Sequence, residues 1–229
     1  MKEDIGLEEN LNANFIKNFL LELSDRLVQA KDELNAMDAA CGDGDFGTTM
    51  YVAFKNARKT VEPMQSTDVG SLLSSAGNSI LSTAGGTAGP LFGAFFIEAG
   101  KVAKGMSEVV VADLAKMLDQ STQRIRARGG ASIGDKTLVD ALEPAVRALK
   151  EAAATGTTIQ LALENAGEAA KEGCESTKRL VAKYGKARYL GEQTLGHVDP
   201  GANVIALIFD TLLTSYRSNA TSIADPNSY

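Results

Sequence analysis

The chain has 229 residues, of which 44% are hydrophobic and 23% charged, and its formal net charge at pH 7 is −6. This length suits one large domain or two small ones, and the acidic balance without a basic block argues against nucleic acid or an anionic membrane as partners. The two cysteines, Cys41 and Cys174, lie far apart and are typical of a reduced, cytoplasmic protein, with Cys41 interpreted as a small buried thiol.

The N-terminal segment, MKEDIGLEEN, is acidic and lacks the apolar region of a signal peptide. No apolar run of 18 residues follows it, so we expect no membrane span. From Ile16 to Leu34, apolar residues recur at intervals of three and four, which predicts an amphipathic helix. A loop rich in glycine and aspartate follows, and a second helix is predicted from Gly47 to about Val61.

The rest of the chain is also helical in its periodicity. Asp68 is a candidate N-cap for a third helix that ends at Ala84, and Pro90 fits the first turn of a fourth. Further helices are predicted over residues 112–127, 138–153 and 159–184, and from Pro200 onwards. Strand-like alternation is nearly absent. The sequence therefore predicts an all-α, single-domain bundle of about eight antiparallel helices over residues 1–217, followed by a polar tail over 218–229.

Two glycine-rich stretches superficially match phosphate-binding motifs. CGDGDFG at 41–47 contains G-x-G-x-x-G, but that fingerprint requires a preceding strand, and a helix is predicted here. GGASIGDKT at 129–137 departs from a Walker A loop because Asp135 stands between the last glycine and the lysine. Neither match predicts a nucleotide site by itself. Asp135 and Lys136 are interpreted either as site residues or as a salt-bridged helix cap.

Three aspartates, Asp38, Asp43 and Asp45, lie within eight residues at the junction of two predicted helices. Carboxylates this close repel each other unless a cation lies between them, and hard oxygen ligands suit Mg²⁺ or Ca²⁺. An EF-hand is excluded because no glutamate stands at the twelfth position counted from Asp38 or Asp43. Since Mg²⁺ commonly completes its shell with water and substrate phosphates, the sequence predicts a magnesium site that holds phosphate through the ion.

Gly47, Thr48 and Thr49 open the helix behind this acidic loop. Free backbone amides at a helix start bind phosphate, so a phosphate site is expected next to the metal site. On spacing alone, an aspartate- and glycine-rich helix cap without any ligand stays open as an alternative.

Four stretches carry a resemblance to a known family. They are LNAMDAACGDGDFGTTM at 34–50, GGTAGPLFGAFF at 85–96, GASIGDKTLVDALEPA at 130–145 and YLGEQTLGHVDPGA at 189–202. In this order they resemble the nucleotide-binding L subunit (DhaL type) of dihydroxyacetone kinases. The resemblance covers essentially the whole chain, and it implies a barrel of eight antiparallel helices with a nucleotide at one end.

The resemblance also implies site residues, although it assigns no catalytic residue. Asp38, Asp43 and Asp45 match carboxylates that hold two Mg²⁺ ions against the phosphates of ADP or ATP. The residues that match nucleotide contacts are Phe46, Gly47, Thr48, Thr49, Gly86, Thr87, Gly129, Leu138, Lys186, Asp199, Pro200 and Gly201. Three of these differ from the family pattern: Lys186 stands where arginine is common, Phe46 replaces a histidine, and Thr49 replaces an asparagine.

The activity implied by the resemblance is phosphoryl transfer from the Mg²⁺-bound nucleotide to dihydroxyacetone held on a separate K subunit. In one branch of the family, resident ADP is recharged by a phosphotransferase-system protein; in the other, ATP exchanges freely. We expect the first branch, because nothing in the chain resembles a K domain. Separately, a homodimer is compatible with the sequence. Two alternatives stay open: an ATP-dependent kinase of the same fold for another small ketose, and a nucleotide-sensing regulatory module without turnover.

Overall fold

The computed structural model of the protein describes residues 10–224, without the side chains of residues 220–224. Within this range lie nine α-helices: α1 (Ala13–Gln29), α2 (Lys31–Ala39), α3 (Phe46–Val61), α4 (Val69–Thr83), α5 (Ala88–Val102), α6 (Val111–Gly129), α7 (Val139–Thr155), α8 (Ile159–Ser176) and α9 (Pro200–Ala224). Two 3₁₀ segments, Thr177–Arg179 and Lys186–Thr194, separate α8 from α9. Two short strands, β1 (Leu11–Asn12) and β2 (Glu108–Val109), pair antiparallel. The predicted all-α fold class is confirmed.

Eight of these helices form a closed ring around one core. From α3 to α9 each helix packs against the next along the chain, and α1 closes the ring between α9 and α3. The remaining helix, α2, lies mainly against α3. Aromatic side chains fill part of the core, where Phe96 makes edge-to-face contacts with Phe54 and Phe95 at centroid distances of 6.1 and 5.0 Å. The eight-helix barrel implied by the family resemblance is therefore observed.

Several helix starts follow the predicted signals. Asp68 caps α4 by accepting the Gly70 amide at 2.8 Å, and it also accepts the Gly105 amide at 3.0 Å from the loop after α5. Pro90 lies in the first turn of α5, where its missing N–H costs no helical bond. Local sequence signals are sufficient at these positions.

The first predicted helix is wrong in its extent, because Ala30 divides it into α1 and α2 before Leu34 is reached. No glycine or proline marks this break. The break allows α2 to lie against the start of α3, where Gly47 packs so closely that a Cβ atom would meet the Lys31 carbonyl oxygen. Tertiary packing rather than local propensity therefore accounts for the division.

The helix predicted over residues 159–184 is also too long, since α8 ends at Ser176. In a continuing α-helix the Thr177 carbonyl would accept the amide of Val181. Here that carbonyl closes a 3₁₀ turn and accepts the Lys136 ammonium at 2.6 Å. A long-range bond thus takes the place of a helical one.

The last helix, α9, continues to Ala224, past the predicted domain end at residue 217, and the boundary between domain and tail stays a prediction. Residues 1–9 and 225–229 lie outside the described residues. They include most of the acidic N-terminal segment and part of the predicted tail. Within residues 10–224, no helix combines the length and the apolar character that a membrane crossing requires.

Candidate functional site

A cavity of about 340 Å³ lies at one end of the helical ring. Its walls come from the α2–α3, α4–α5, α6–α7 and α8–α9 loops and the helix ends beside them. These loops are alternate connections of an up-and-down ring, so the fold brings four segments distant in sequence to the same end. The volume falls in the range of small-molecule binding sites.

Most residues predicted for the site line this cavity. They are Asp38, Asp43, Asp45, Phe46, Thr49, Gly86, Thr87, Leu138, Lys186, Asp199, Pro200 and Gly201. The other three predicted residues do not reach the wall. Gly47 is buried against α2, and the amide and hydroxyl of Thr48 bond to Asn35 at 2.9 and 3.1 Å. Gly129 lies next to the wall residue Leu91, whose Cδ2 atom would be 3.6 Å from a Cβ at that position.

The three aspartates form a compact acidic cluster. Asp38, Asp43 and Asp45 each present a carboxylate oxygen, and these oxygens all lie within 4.8 Å of one another. Asp43 and Asp45 are exposed, whereas Asp38 is half-buried. Oxygen ligands at this spacing fit a hard divalent cation, and their mutual repulsion favours binding one. The donor set therefore suits Mg²⁺.

Asp38 also fixes the geometry of the acidic loop. Its Oδ2 atom accepts the amides of Asp45 at 3.0 Å and Phe46 at 3.2 Å, which fastens the start of α3 to the end of α2. The other oxygen, Oδ1, lies where a Cβ atom on Gly42 would be, so a larger residue at this position would displace the carboxylate. One oxygen of Asp38 is thus structural and the other faces Gly42.

An ion pair links the acidic cluster to the opposite side of the cavity rim. The Lys186 ammonium in the α8–α9 loop bonds to Asp43 Oδ2, and both side chains are exposed. The bond from Lys186 holds the pKa of Asp43 below its usual range, and the same contact raises the pKa of Lys186. One lysine offsets one charge of three, so the cluster still attracts a divalent cation.

Most backbone amides at the start of α3 donate hydrogen bonds to acceptors within the protein. The Thr48 amide bonds to Asn35 at 2.9 Å, and the Thr49 amide bonds to the Asp45 carbonyl at 3.0 Å. Asp38 accepts the Phe46 amide and Asn35 accepts the Thr48 amide, but neither side chain accepts the Gly47 amide. Free amides were expected at Gly47, Thr48 and Thr49, but the structure gives the two threonine amides internal partners.

The start of α5 offers a less satisfied helix end at the cavity. No side-chain hydrogen bond caps this helix at Thr87. Gly86, just before it, has a φ of 65°, and a Cβ there would meet no atom within 4 Å, so bare backbone faces open space. Together with Ala88, these residues line the cavity. A helix N-terminus of this kind attracts anions.

Asp199 lies at the floor of the cavity and caps α9. Its Oδ2 atom accepts the Ala202 amide at 2.7 Å, and its own amide bonds to Thr177 Oγ1 at 3.0 Å. Burial raises the pKa of Asp199 to about 7, with nearby Asp140 acting in the same direction and Lys136 opposing it. The carboxyl group is therefore set to gain or lose a proton near neutrality.

Sequence reasoning missed further wall residues: Cys41, Leu91, Phe92, Thr137, Tyr184 and Val198. Lys136, for which a site role was one of two interpretations, also lines the wall. Cys41 is buried as predicted, and burial raises its thiol pKa. The Tyr184 hydroxyl donates to the Gly130 carbonyl at 2.8 Å, which ties the α8–α9 loop to the end of α6. Asp135 is salt-bridged, and its partner is Lys183 at 2.7 Å rather than Lys136. The GDKT motif was the one sequence feature that indicated a site role for Lys136.

Comparison with known proteins places this geometry in a family context. Residues 40–214 match the model of the DAK2 domain. The chain is 32% identical to the "PEP-dependent dihydroxyacetone kinase, ADP-binding subunit DhaL" of Escherichia coli (strain K12), over 89% of this chain and 97% of that protein. It is 34% identical to the L-erythrulose kinase of Pectobacterium atrosepticum, over 83% of this chain but 32% of that protein.

A solved structure has the same fold. The crystal structure of the dihydroxyacetone kinase from C. freundii in complex with AMP-PNP and Mg²⁺ matches with a TM-score of 0.67 and 30% identity. The match covers 88% of this chain and 34% of that one. These comparisons confirm the resemblance to dihydroxyacetone kinase L subunits and the assignment to a group of phosphotransferases.

Proposed function

Since the chain belongs to the DAK2 domain family, we propose that it is the nucleotide-binding subunit of a dihydroxyacetone-type kinase. The proposal depends on one observation, the convergence of three carboxylates at the rim of a 340 Å³ cavity. The E. coli relative is named an ADP-binding subunit, and the C. freundii structure contains AMP-PNP and Mg²⁺. The name of the relative and the ligands in that structure support ADP or ATP, bound with Mg²⁺, as the ligand of this cavity.

We assign the ligation of two Mg²⁺ ions to Asp38, Asp43 and Asp45. When bound, the metal supplies positive charge against the phosphate oxygens, which is the main requirement of phosphoryl transfer. Asp38 offers the oxygen that does not bond to the α3 amides, while the exposed carboxylates of Asp43 and Asp45 can turn towards the cavity. The bonds from Asp38 to the start of α3 hold the loop in place, as outer contacts of metal ligands do elsewhere.

The remaining wall residues suit the nucleotide itself. Gly86 and Thr87 lie at the uncapped start of α5, where backbone amides attract phosphate. Leu138 lines the apolar part of the cavity, and Asp199 to Gly201 form its floor at the start of α9. Gly47, Thr48 and Gly129 do not line the cavity, and we assign them a role in shaping the segments beside it.

For the rest of the reaction we propose dihydroxyacetone as the acceptor, held by a separate K-type subunit. The E. coli relative is named PEP-dependent, which supports a phosphotransferase-system protein that recharges resident ADP. The chain spans 34% of the C. freundii kinase, so the acceptor-binding activity of that longer protein is assigned to a partner here. The proposed compartment is the cytoplasm, in agreement with two free buried cysteines.

A second candidate is a kinase of the same fold for another small ketose. Phe46 and Thr49 line the cavity at positions where the resembled family has histidine and asparagine. The L-erythrulose kinase of P. atrosepticum is 34% identical to this chain, against 32% for the E. coli dihydroxyacetone kinase subunit. An assay with both acceptors is therefore needed.

Calorimetry of ADP binding with and without Mg²⁺ tests the nucleotide site. We expect Mg²⁺-dependent binding that weakens by about 10-fold to 100-fold in Asp43→Asn and Asp45→Asn, the size typical of a lost contact around a metal. Asp32→Asn, an exposed carboxylate in the first turn of α2, is the matched control and should bind like the wild type. Equal affinity with and without Mg²⁺, or wild-type affinity in both cluster variants, would contradict the proposal.

A transfer assay then tests the reaction. The chain is mixed with a K-type subunit, with either ATP or phosphoenolpyruvate and its phosphotransferase proteins, and with dihydroxyacetone or erythrulose. We expect phosphorylated dihydroxyacetone with the phosphoenolpyruvate system. Preference for erythrulose supports the second candidate. Tight Mg²⁺–ADP binding without transfer to either acceptor supports a regulatory module instead.

A further inference from the structure

Lys136 in the α6–α7 loop lines the cavity, yet only 3% of its surface is exposed. Its φ is 58°, and among the residues described here it is the one non-glycine residue with a positive φ. The Cβ atom disfavours this left-handed conformation, so it persists where surrounding contacts determine it. Burial also lowers the pKa of its ammonium group. A strained, desolvated lysine next to the cavity requires an explanation.

The ammonium group of Lys136 joins three segments of the chain. It donates to the Thr177 carbonyl at 2.6 Å and to the His197 carbonyl, which lie 41 and 61 residues further along the chain. Thr177 directly follows α8, and His197 lies shortly before α9. A single side chain therefore holds the α6–α7 loop, the end of α8 and the approach to α9 together.

From Thr177 a chain of bonds continues to the start of α9. The buried Thr177 hydroxyl donates to the Cys174 carbonyl at 2.6 Å and accepts the Asp199 amide at 3.0 Å. The carboxylate of Asp199 in turn accepts the Ala202 amide at 2.7 Å in the first turn of α9. The position of this turn is thus connected, bond by bond, to the ammonium of Lys136.

The loop around Lys136 is fastened on both sides. The buried Asp140 accepts the amides of Gly134 at 2.6 Å and Thr137 at 2.7 Å. These bonds fix the backbone on either side of Lys136 and direct its side chain inwards. The negative charges of Asp140 and Asp199 favour the charged form of the ammonium and partly offset its burial.

We propose that Lys136 is a positioning residue, whose ammonium sets the place of Asp199, Pro200 and Gly201 at the floor of the cavity. The role in nucleotide binding rests on the proposed function, whereas the fixing of the α9 start does not. The ammonium bonds to the Thr177 and His197 carbonyls, so it acts through Asp199 rather than as a phosphate ligand.

Amide hydrogen exchange of the nucleotide-free protein, followed by NMR, tests the first part. In Lys136→Met we expect the Asp199 and Ala202 amides to exchange at least about tenfold faster, because their local structure opens more easily. The matched control is Lys178→Met, which removes an exposed ion pair with Glu175 one residue from Thr177 and should leave both rates within about twofold of the wild type. Unchanged exchange in Lys136→Met overturns the proposal.

Two further measurements complete the test. ADP affinity in the presence of Mg²⁺ should fall at least about tenfold in Lys136→Met, with partial recovery in Lys136→Arg, which retains charged donors. If exchange accelerates but affinity is unchanged, the positioning role is overturned. Thr177→Val removes the hydroxyl and keeps the carbonyl, so it tests the link to Asp199 if Lys136→Met fails to fold. A wild-type protein that binds no ADP overturns the proposed function. The exchange rates then still decide whether Lys136 fixes the start of α9.

Discussion

Lys186 and Asp43 form an ion pair that joins the α8–α9 loop to the acidic cluster across 143 residues of sequence. Both side chains are exposed, and the pair lowers the pKa of Asp43 and raises that of Lys186. The ammonium therefore supplies positive charge at the carboxylate for which we propose a metal. If Asp43 binds Mg²⁺ as proposed, Lys186 would compete with the metal for this ligand, and the nucleotide phosphates would offer Lys186 another partner.

Substitution Lys186→Met should consequently have opposite effects on the metal and on the nucleotide. Without the competing ammonium, Mg²⁺ alone should bind about twofold to fivefold tighter, a size that fits an exposed ion pair. ADP at saturating Mg²⁺ should bind more weakly, because the phosphates lose a cation. Titration calorimetry measures both. Lys183→Met is the control, since Lys183 pairs with Asp135 outside the cluster. Weaker Mg²⁺ binding in Lys186→Met would refute the competition.

Replacement of Gly47 by alanine tests the contact between α2 and α3. The added Cβ would meet the Lys31 carbonyl oxygen and would lie 2.8 Å from the Asn35 amide nitrogen. We expect the free energy of unfolding to fall by about 1–3 kcal/mol, as in other overpacked sites. Mg²⁺ affinity should fall as well, since the end of α2 carries Asp38. Urea denaturation and calorimetry provide the two measurements.

The control for this change is Gly167→Ala in the middle of α8, where a Cβ would meet no atom within 4 Å. Alanine is the better helix former, so this variant should be more stable by up to about 1 kcal/mol. Equal stability of Gly47→Ala and the wild type would show that α2 can move away without cost.

The raised pKa of Asp199 predicts how the free energy of unfolding depends on pH. Burial raises its pKa to about 7, whereas the carboxyl in the unfolded chain ionises near 3.8. Between these values the native state binds more protons than the unfolded state, so the free energy of unfolding falls as pH rises. Asp199→Asn cannot ionise, but its side-chain oxygen can still accept the Ala202 amide. Its stability relative to the wild type should therefore increase by about 1–3 kcal/mol between pH 4.5 and 7.5.

Urea unfolding of both proteins across this pH range measures the difference. Parallel stability profiles would show that Asp199 ionises normally in the native state. A relative gain for Asp199→Asn that appears as pH falls below 4 would show instead that the native state lowers the pKa of Asp199.

The features predicted correctly from sequence depend on short stretches. Asp68 and Pro90 mark helix starts because capping and the proline ring act within one turn. Asp38, Asp43 and Asp45 meet because a span of eight residues across a tight helix junction allows little separation. The four family motifs predicted the loops that meet at the cavity, although Gly47 and Thr48 within the first motif do not line it.

What the sequence by itself determined is the helical pattern, the acidic loop and the family to which both belong, since periodicity and spacing act locally. Only the tertiary structure decided that Ala30 divides a helix, that Lys136 binds the Thr177 carbonyl just past the end of α8, and that Lys186 pairs with Asp43. Each of these depends on groups that are distant in sequence and adjacent in space. Local propensity carries no information about such contacts, because their energy arises when the ring closes and water is excluded from between the contacting groups.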